Sequence, residues 1–190
     1  MSPKKLSRLA AVTMLLVGLV SATGYAREVA GVNLPETAVA DGKTLKLVGA
    51  GLRTRMMFKV YAAALYAETP QKDARTLIAS DQAKRVQLVL LRSLDATTLR
   101  DAIREGFENN SRDKMPTLKP RLDRLMSMFP SVKEGDKIAL TYQPGKGTTV
   151  TVNNADKGMI EGKDFADALF AVWLGASPVQ EDLKQALLGR

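Results

Sequence analysis

Residues 49–68, GAGLRTRMMFKVYAAALYAE, constrain the fold of this chain more than any other stretch. They contain the end of one predicted β-strand, Lys43–Thr54, and all of a second, Met57–Ala67. The second strand is almost free of charge, and the two meet near a pair of arginines, Arg53 and Arg55. An arginine beside an apolar strand that carries tyrosines is what a pocket for an anionic, mostly apolar ligand needs.

The second strand has one tyrosine on each predicted face, because successive side chains of a strand point to opposite sides. Strict alternation places Lys59, Tyr61, Ala63 and Leu65 on one face, and Val60, Ala62, Ala64 and Tyr66 on the other. Two such tyrosines can both find hydrogen-bond partners in an ordinary sheet. A structural role and a ligand-binding role therefore both remain open at this point.

Turn and capping signals divide the rest of the chain into short elements. Asp41-Gly42 marks a turn, Asp95 is a predicted N-cap, and Ser177-Pro178 predicts the start of the last helix. The other predicted strands are Val29–Leu34, Val86–Leu91, Lys137–Gln143, Thr148–Asn153 and Lys157–Ile160. The predicted helices are Asp73–Ser80, Ala96–Asn109, Leu118–Phe129, Asp164–Leu174 and Pro178–Leu188. This order of strands, helices, a hairpin and helices predicts an α+β fold with a largely antiparallel sheet.

The N-terminus is typical of a cleavable export signal. Lys4, Lys5 and Arg8 precede an apolar run that is too short to span a bilayer, and small residues follow up to Ala26. We expect a signal peptide over residues 1–26, a single domain over 27–190 without a transmembrane segment, and a periplasmic or secreted location. Removing the three basic residues of the signal leaves 25 Lys and Arg against 20 Asp and Glu, a net charge of +5.

Composition excludes several classes of function. The chain has no histidine and no cysteine, which removes histidine-based triads, thiolate chemistry, disulfides and the commonest transition-metal ligands. No EF-hand-like spacing of acidic residues is present, so we expect no metal and no cofactor. The densest basic group, between Arg112 and Arg124, is interleaved with Asp113 and Asp123 and lacks aromatic neighbours. It predicts a solvated helix face and no nucleic-acid partner.

Two weaker motifs favour structural interpretations. Gly49-Ala50-Gly51 resembles the start of a dinucleotide fingerprint, but Thr54 occupies the place of the third glycine and the next segment is a predicted strand. A strand kink or bulge is the better interpretation. Trp173 lies at helical spacing from Phe165, Leu169 and Phe170, which predicts a core side chain rather than a ligand-stacking one.

Three blocks of the sequence resemble the chalcone isomerase-like superfamily, in particular its exported bacterial members. They are Gly49-Ala50-Gly51-Leu52-Arg53, then Phe58 to Tyr66, and the tail Ala168–Leu187 with Trp173-Leu174-Gly175. The resemblance covers most of the mature chain. It implies an open-faced β-sandwich, in which a large curved antiparallel sheet carries helices on one face and a ligand cleft lies between them.

The resemblance to the plant enzymes of the superfamily, which close a chalcone to a flavanone, is incomplete. Arg53 matches their arginine, which stabilises a phenolate, but Tyr61 stands at the position of a sheet threonine. Their polar helix residues correspond to Leu99, Ala102, Gly106 and Val172 in this chain. The loss of that polar wall argues against flavonoid cyclisation and implies no catalytic residue.

The fatty-acid-binding branch is more similar, because its members hold a carboxylate with an arginine and a tyrosine. The resemblance selects Arg53 over Arg55, and Tyr61 over Tyr66, as that pair. It implies a non-catalytic domain that binds a fatty acid or a similar amphipathic acid. The implied ligand-binding set is Arg53, Tyr61, Leu99, Ala102, Ile103 and Val172. Two alternatives stay open: an isomerase or lyase acting on a small enone or phenol, and a structural or partner-binding envelope protein.

Overall fold

The structure is a computed structural model that describes residues 26–190. The predicted signal peptide, apart from Ala26, lies outside the described residues. Within the described part of the chain, no helix is both long and apolar enough to cross a membrane.

Seven antiparallel strands form one curved sheet in which every strand pairs with the next one in sequence. A separate two-stranded hairpin precedes the sheet. The hairpin consists of β1 (Ala26–Val29) and β2 (Val32–Pro35). The sheet strands are β3 (Thr37–Ala40), β4 (Lys43–Arg55), β5 (Phe58–Ala67), β6 (Lys84–Leu90), β7 (Lys137–Gln143), β8 (Gly147–Val152) and β9 (Ala155–Ile160).

The helices lie between β5 and β7 in sequence and at the C-terminus. They are α1 (Ala74–Ala79), α2 (Ala96–Ser111), α3 (Met115–Ser127), α4 (Lys163–Leu174) and α5 (Glu181–Leu187), with a 3-10 turn at Arg112–Lys114. As predicted, the Asp95 carboxylate caps α2 by accepting from the backbone N–H of Thr98 at 2.8 Å. The predicted α+β architecture, with a large antiparallel sheet and helices packed on it, is confirmed.

The sheet has a hydrophobic core on each face. The main core joins Tyr61, Ala63 and Leu65 of β5 to the apolar sides of the helices. A smaller core on the opposite face packs Tyr66 against Leu34 of the β1–β2 hairpin, and the Tyr66 hydroxyl donates to the carbonyl of Pro35 at 3.0 Å. The hairpin therefore covers part of the face that carries no helices.

Strict alternation along β5 is correct from Tyr61 to Tyr66 but wrong at Val60 and Lys59. A register irregularity between β4 and β5 follows Arg53, and it leaves Val60 without a partner in β4. Val60 consequently packs on the helix side together with Tyr61, while Lys59 is exposed. A bulge of this kind redirects the side chains beyond it.

Three predicted boundaries are also wrong. Helix α3 starts at Met115, three residues before the predicted start at Leu118. Residues 29–34 form a turn at Ala30-Gly31 between two strands instead of one strand. The last helix starts at Glu181 with Gln180 as its N-cap, three residues after the predicted start at Pro178. Its start is displaced because the side chain of Asn110 holds Ser177 in the linker by accepting from its N–H (2.9 Å) and donating to its carbonyl (2.7 Å).

Candidate functional site

Strands β4 and β5 position the two polar residues of the candidate site. Arg53 and Tyr61 are direct cross-strand partners, so their side chains start from neighbouring points of the sheet. The bulge next to this pair directs Tyr61 and Val60 toward the helices. Tyr66 lies on the opposite face and is excluded from the site.

The two glycines of Gly49-Ala50-Gly51 allow α5 to pack directly on β4. A Cβ on Gly49 would overlap the backbone of Ala186 and Leu187, and one on Gly51 would lie 2.6 Å from the Cβ of Ala186. The segment is strand, with a register irregularity between Leu47 and Gly49. The interpretation of this segment as a strand with a bulge is confirmed, and its interpretation as a dinucleotide-binding loop is wrong.

A cavity of about 350 Å³ opens between the sheet and the helices beside Arg53 and Tyr61. Its inner wall is mostly apolar, and its outer part is lined by charged and exposed side chains. The inner residues are Val60, Tyr61, Leu88, Leu94, Leu99, Ala102, Ile103, Val172, Trp173 and Val179. The outer residues are Arg53, Arg55, Met56, Phe58, Arg92, Ser93, Asp95 and Thr98.

Arg53 brings a positive charge to this cavity without a carboxylate to neutralise it. Its Nη1 donates to the carbonyl of Thr54 at 2.5 Å and to Oε1 of Gln180 at 3.2 Å, both neutral acceptors. Within residues 26–190 the guanidinium makes no ion pair. Its Nε and Nη2 groups meet no carboxylate or carbonyl in the same residues, and the Tyr61 hydroxyl is the neighbouring acceptor, which leaves the planar fork available for an anion.

Tyr61 is held by a hydrogen bond from the buried indole of Trp173. Nε1 of Trp173 donates to the Tyr61 hydroxyl oxygen at 3.1 Å, and the two side chains are only 1 % and 8 % exposed. Burial raises the pKa of Tyr61, although the Trp173 hydrogen bond, the Arg53 charge and a hydrogen bond from Arg53 act in the opposite direction. The phenol is therefore protonated at neutral pH, and its own hydrogen is available to a ligand in the cavity.

Helices α2 and α4 supply the apolar wall opposite the strands. Leu99, Ala102 and Ile103 line the cavity from α2, and Val172 lines it from α4. The two helices approach closely at Gly106, where a Cβ would lie 2.6 Å from a methyl carbon of Val172. The absence of a side chain at Gly106 thus allows α2 and α4 to pack closely beside the cavity.

The rim of the cavity is predominantly cationic. Arg55 and Arg92 lie there, both exposed, and the Arg92 guanidinium lies over the ring of Phe58 at 4.9 Å. Asp95 is the acidic residue of the rim, and its carboxylate is engaged in capping α2, which lowers its pKa. An anion approaching the cavity therefore meets a positive field.

All six sequence-predicted site residues line this one cavity. That placement concerns geometry, and their role in ligand binding remains a prediction. Trp173 is a core side chain, as predicted, but it also lines the cavity and holds Tyr61. Sequence reasoning missed Gln180 and Arg92. Neither residue has a local signal, because each contacts a partner that is distant in sequence. Gln180 contacts Arg53 across 127 positions, and Arg92 contacts Phe58.

The described residues contain no cluster of three or more side chains suited to a metal ion. The cavity lining offers arginines, one capped carboxylate, a phenol and an indole. These groups can hold an anion, donate hydrogen bonds and stabilise negative charge electrostatically.

Comparison with known proteins identifies the family of this chain. A family model described as chalcone isomerase-like matches residues 26–189. The crystal structure of an Arabidopsis thaliana fatty-acid binding protein superposes with a TM-score of 0.66 at 16% sequence identity, over 83% of this chain and 92% of that chain. At this identity the likeness establishes a shared fold. No curated protein matches the sequence. Because the family model covers nearly all of the described residues, the chain belongs to the chalcone isomerase-like family.

Proposed function

We propose that this domain binds a fatty acid or a similar amphipathic carboxylate without catalysis. The observation that carries the proposal is the charge of Arg53, which has no ion-pair partner within residues 26–190 and lies at the mouth of an apolar cavity. A carboxylate would supply the missing negative charge, and the apolar wall would accept the hydrocarbon chain.

Hydrogen-bond geometry supports a carboxylate as the anionic group. The Arg53 guanidinium, which meets no carboxylate within residues 26–190, presents parallel N–H donors that match the two oxygens of a carboxylate. Tyr61 stands opposite Arg53 in the sheet and adds a neutral O–H donor. Because the indole of Trp173 already occupies the hydroxyl oxygen of Tyr61, the O–H hydrogen is the part of this group left for the ligand.

The wall of the cavity supports a hydrocarbon tail. Leu99, Ile103 and Val172 are at most 5 % exposed and present only methyl and methylene groups. A volume of about 350 Å³ lies within the range of small-molecule sites. The fatty-acid binding protein of Arabidopsis thaliana shares the fold, which makes a ligand of this class a consistent choice.

The two alternatives have less support. An isomerase or lyase acting on an enone or phenol would use Arg53 electrostatically, yet the helix residues facing it are Leu99, Ala102 and Val172. Turnover of a chalcone, followed by absorbance, would test that alternative directly. A structural or partner-binding envelope protein predicts an internally paired Arg53 and a filled cleft, whereas the described residues contain an open cavity and no such ion pair.

The proposal is tested by native mass spectrometry and lipid extraction of the purified protein, followed by calorimetric titration of the delipidated protein with palmitate. We expect saturable binding at one site. Arg53→Ala should weaken it at least tenfold, since hydrogen bonds to charged groups contribute about 1.5–3 kcal/mol. Arg75→Ala is the matched control: it removes the same charge from an exposed position on α1 that is outside the cavity lining.

The design separates loss of binding from loss of structure. Arg53 also contacts the N-cap residue Gln180, so urea unfolding of Arg53→Ala and of Arg53→Lys must accompany the titration. Absence of both co-purified acid and saturable palmitate binding by the wild-type protein would refute the proposal. Equal affinities of Arg53→Ala and Arg75→Ala would refute the role of Arg53.

A further inference from the structure

The turn between β4 and β5 has an unusual sequence for its backbone conformation. Within residues 26–190, four two-residue turns have positive φ at both central residues, the condition for the type I′ turns that connect tight hairpins. Such turns favour Gly, Asn and Asp, which adopt positive φ at little cost. The central residues are Ala30-Gly31, Asp41-Gly42, Asn153-Asn154 and, between β4 and β5, Met56-Met57.

The chain thus retains two methionines at the one turn where both residues are unsuited to the backbone. Met56 has φ 48° and Met57 has φ 67°, a region that is unfavourable for side chains other than those of Asn and Asp. Two of the other three turns obtain the same geometry with Gly, Asn and Asp alone, and the third has Gly31 beside Ala30. The methionines therefore disfavour the turn conformation locally, which directs attention to what their side chains offer a partner.

Those side chains project into solvent as one apolar tip. Met56, Met57 and Phe58 are 84 %, 98 % and 62 % exposed. A single exposed apolar residue needs no explanation, but three consecutive ones at the end of a hairpin form a patch. We call residues 56–58 the hairpin tip. The fourth large exposed apolar residue of the described chain is Val39. It lies in β3, the strand that pairs with β4 on the side away from β5.

Basic side chains surround the hairpin tip. Arg55 and Lys59 flank it in sequence, and Arg92 lies over the ring of Phe58 at 4.9 Å. All three are exposed, and none forms an ion pair with another residue in the range 26–190. Asp95 is the acidic residue nearby on the cavity rim, and its charge is engaged at the N-terminus of α2.

We propose that the hairpin tip docks this domain on an anionic lipid surface. Met57 and its neighbours enter the boundary between headgroups and acyl chains, and Arg55, Lys59 and Arg92 contact lipid phosphates. The surface that three residues at the end of a hairpin can bury is far smaller than the roughly 800 Å² per partner that a stable protein interface buries. A fluid bilayer, in contrast, accommodates a narrow apolar tip with cations around it.

Docking would also place the cavity against the lipid. Met56 and Phe58 belong to both the hairpin tip and the outer lining of the cavity. An amphipathic acid would then pass between bilayer and cavity without crossing water. The docking itself does not depend on the proposed function, because it requires no ligand in the cavity.

The test is co-sedimentation of the full mature protein with sucrose-loaded vesicles, without added fatty acid. We expect binding to vesicles of phosphatidylcholine and phosphatidylglycerol in equal parts, and weak binding to phosphatidylcholine alone. Met57→Gly should lower the partition coefficient about fivefold or more, since full burial of a methionine side chain changes partitioning about ten- to hundredfold. Glycine suits φ 67° at this position, so this variant should fold at least as well as the wild type.

Two further variants make the measurement specific. Val39→Ser removes an exposed apolar residue elsewhere and should leave vesicle binding unchanged. Met57→Trp should strengthen binding, and the introduced tryptophan should show a blue-shifted emission with anionic vesicles. Raising NaCl from 0.1 to 0.5 M should weaken binding, because salt screens the three cations.

The proposal is overturned if the wild-type protein does not sediment with anionic vesicles, or if Met57→Gly and Val39→Ser behave alike. Equal binding to neutral and anionic vesicles, unaffected by salt, would overturn the role of the basic residues. Met57 is outside the cavity lining, so palmitate titration of Met57→Gly in the absence of vesicles tests the proposed function separately.

Discussion

The hydrogen bond between Trp173 and Tyr61 gives the sharpest prediction of stability for this protein. Tyr61→Phe removes the oxygen that accepts from Nε1 of Trp173 at 3.1 Å and leaves the ring in place. The indole N–H is then an unpaired donor on a side chain that is 1 % exposed. Leaving a buried donor unpaired costs about 1–3 kcal/mol, and we expect the free energy of unfolding to fall by that amount.

The same hydrogen bond predicts that Trp173→Phe and Tyr61→Phe are not additive. Trp173→Phe alone loses buried apolar volume, which we expect to cost about 2 kcal/mol. In the double variant the two phenyl rings leave no unpaired N–H. The sum of the single losses should therefore exceed the loss of the double variant by about 1–2 kcal/mol.

Urea unfolding followed by far-UV circular dichroism measures all of these variants in the same way. Tryptophan fluorescence is unsuitable, because Trp173 is the only tryptophan of the chain. Tyr66→Phe is the matched control: its hydroxyl donates to the carbonyl of Pro35 on the opposite face of the sheet and has no link to Trp173. Tyr66→Phe and Trp173→Phe should be additive within about 0.5 kcal/mol. A coupling between Tyr61 and Trp173 no larger than this would refute the assigned hydrogen bond.

Two other changes test the packing and the buried charge. Gly49→Ala should lower the free energy of unfolding by about 3 kcal/mol or more, because the added Cβ meets backbone atoms at the end of α5. In Gly51→Ala the added Cβ meets side-chain atoms, so the loss should be about 1–3 kcal/mol. Thermal melts compare the two variants. Desolvation, aided by the charge of Lys163, lowers the pKa of Lys84 from 10.5 to about 8. Between these values the unfolded state binds more protons, so stability should rise with pH from about 8 toward 10. Above pH 10 the rise should be opposed by Tyr66, whose pKa burial raises from 10.0 to about 12. Urea titrations at pH 7.5, 8.5 and 9.5 should show a rise that is absent in Lys84→Met, and the same rise in both proteins would contradict the assignment.

Local sequence signals predict those helices and hairpins whose ends are set by contacts between residues close in sequence. Asp95 precedes an apolar stripe at helical spacing, and it caps α2 through a residue only three positions away. The hairpin between β7 and β8 follows from period-two alternation on both sides of a glycine-containing turn. Helix α2 lines the candidate site and the β7–β8 hairpin belongs to the sheet, and local signals predict both within a few residues.

Long-range contacts determined the features that were mispredicted. Ser177-Pro178 has the composition of a helix start, yet the side chain of Asn110, 67 positions earlier, binds the backbone of Ser177 and keeps it in the linker. The displaced start makes Gln180 the N-cap of α5. Gln180 then accepts hydrogen bonds from Arg53 and from the backbone of Thr54. The partner of Arg53 was thus unpredictable because a tertiary contact sets where the helix begins.

The bulge next to Arg53 decides which polar groups face the cavity. Uninterrupted alternation along β5 would direct Lys59 to the same side as Tyr61, and an ammonium group would then compete with the guanidinium for any anion. The register irregularity gives that side to Val60, whose apolar side chain joins the cavity wall, and leaves Lys59 exposed. One unpaired residue in the strand therefore keeps the ammonium group of Lys59 away from the side of β5 that carries Tyr61. A carboxylate would meet Arg53 and Tyr61 at the mouth and inner wall of the cavity, while lipid phosphates would meet Arg55, Lys59 and Arg92 around the hairpin tip.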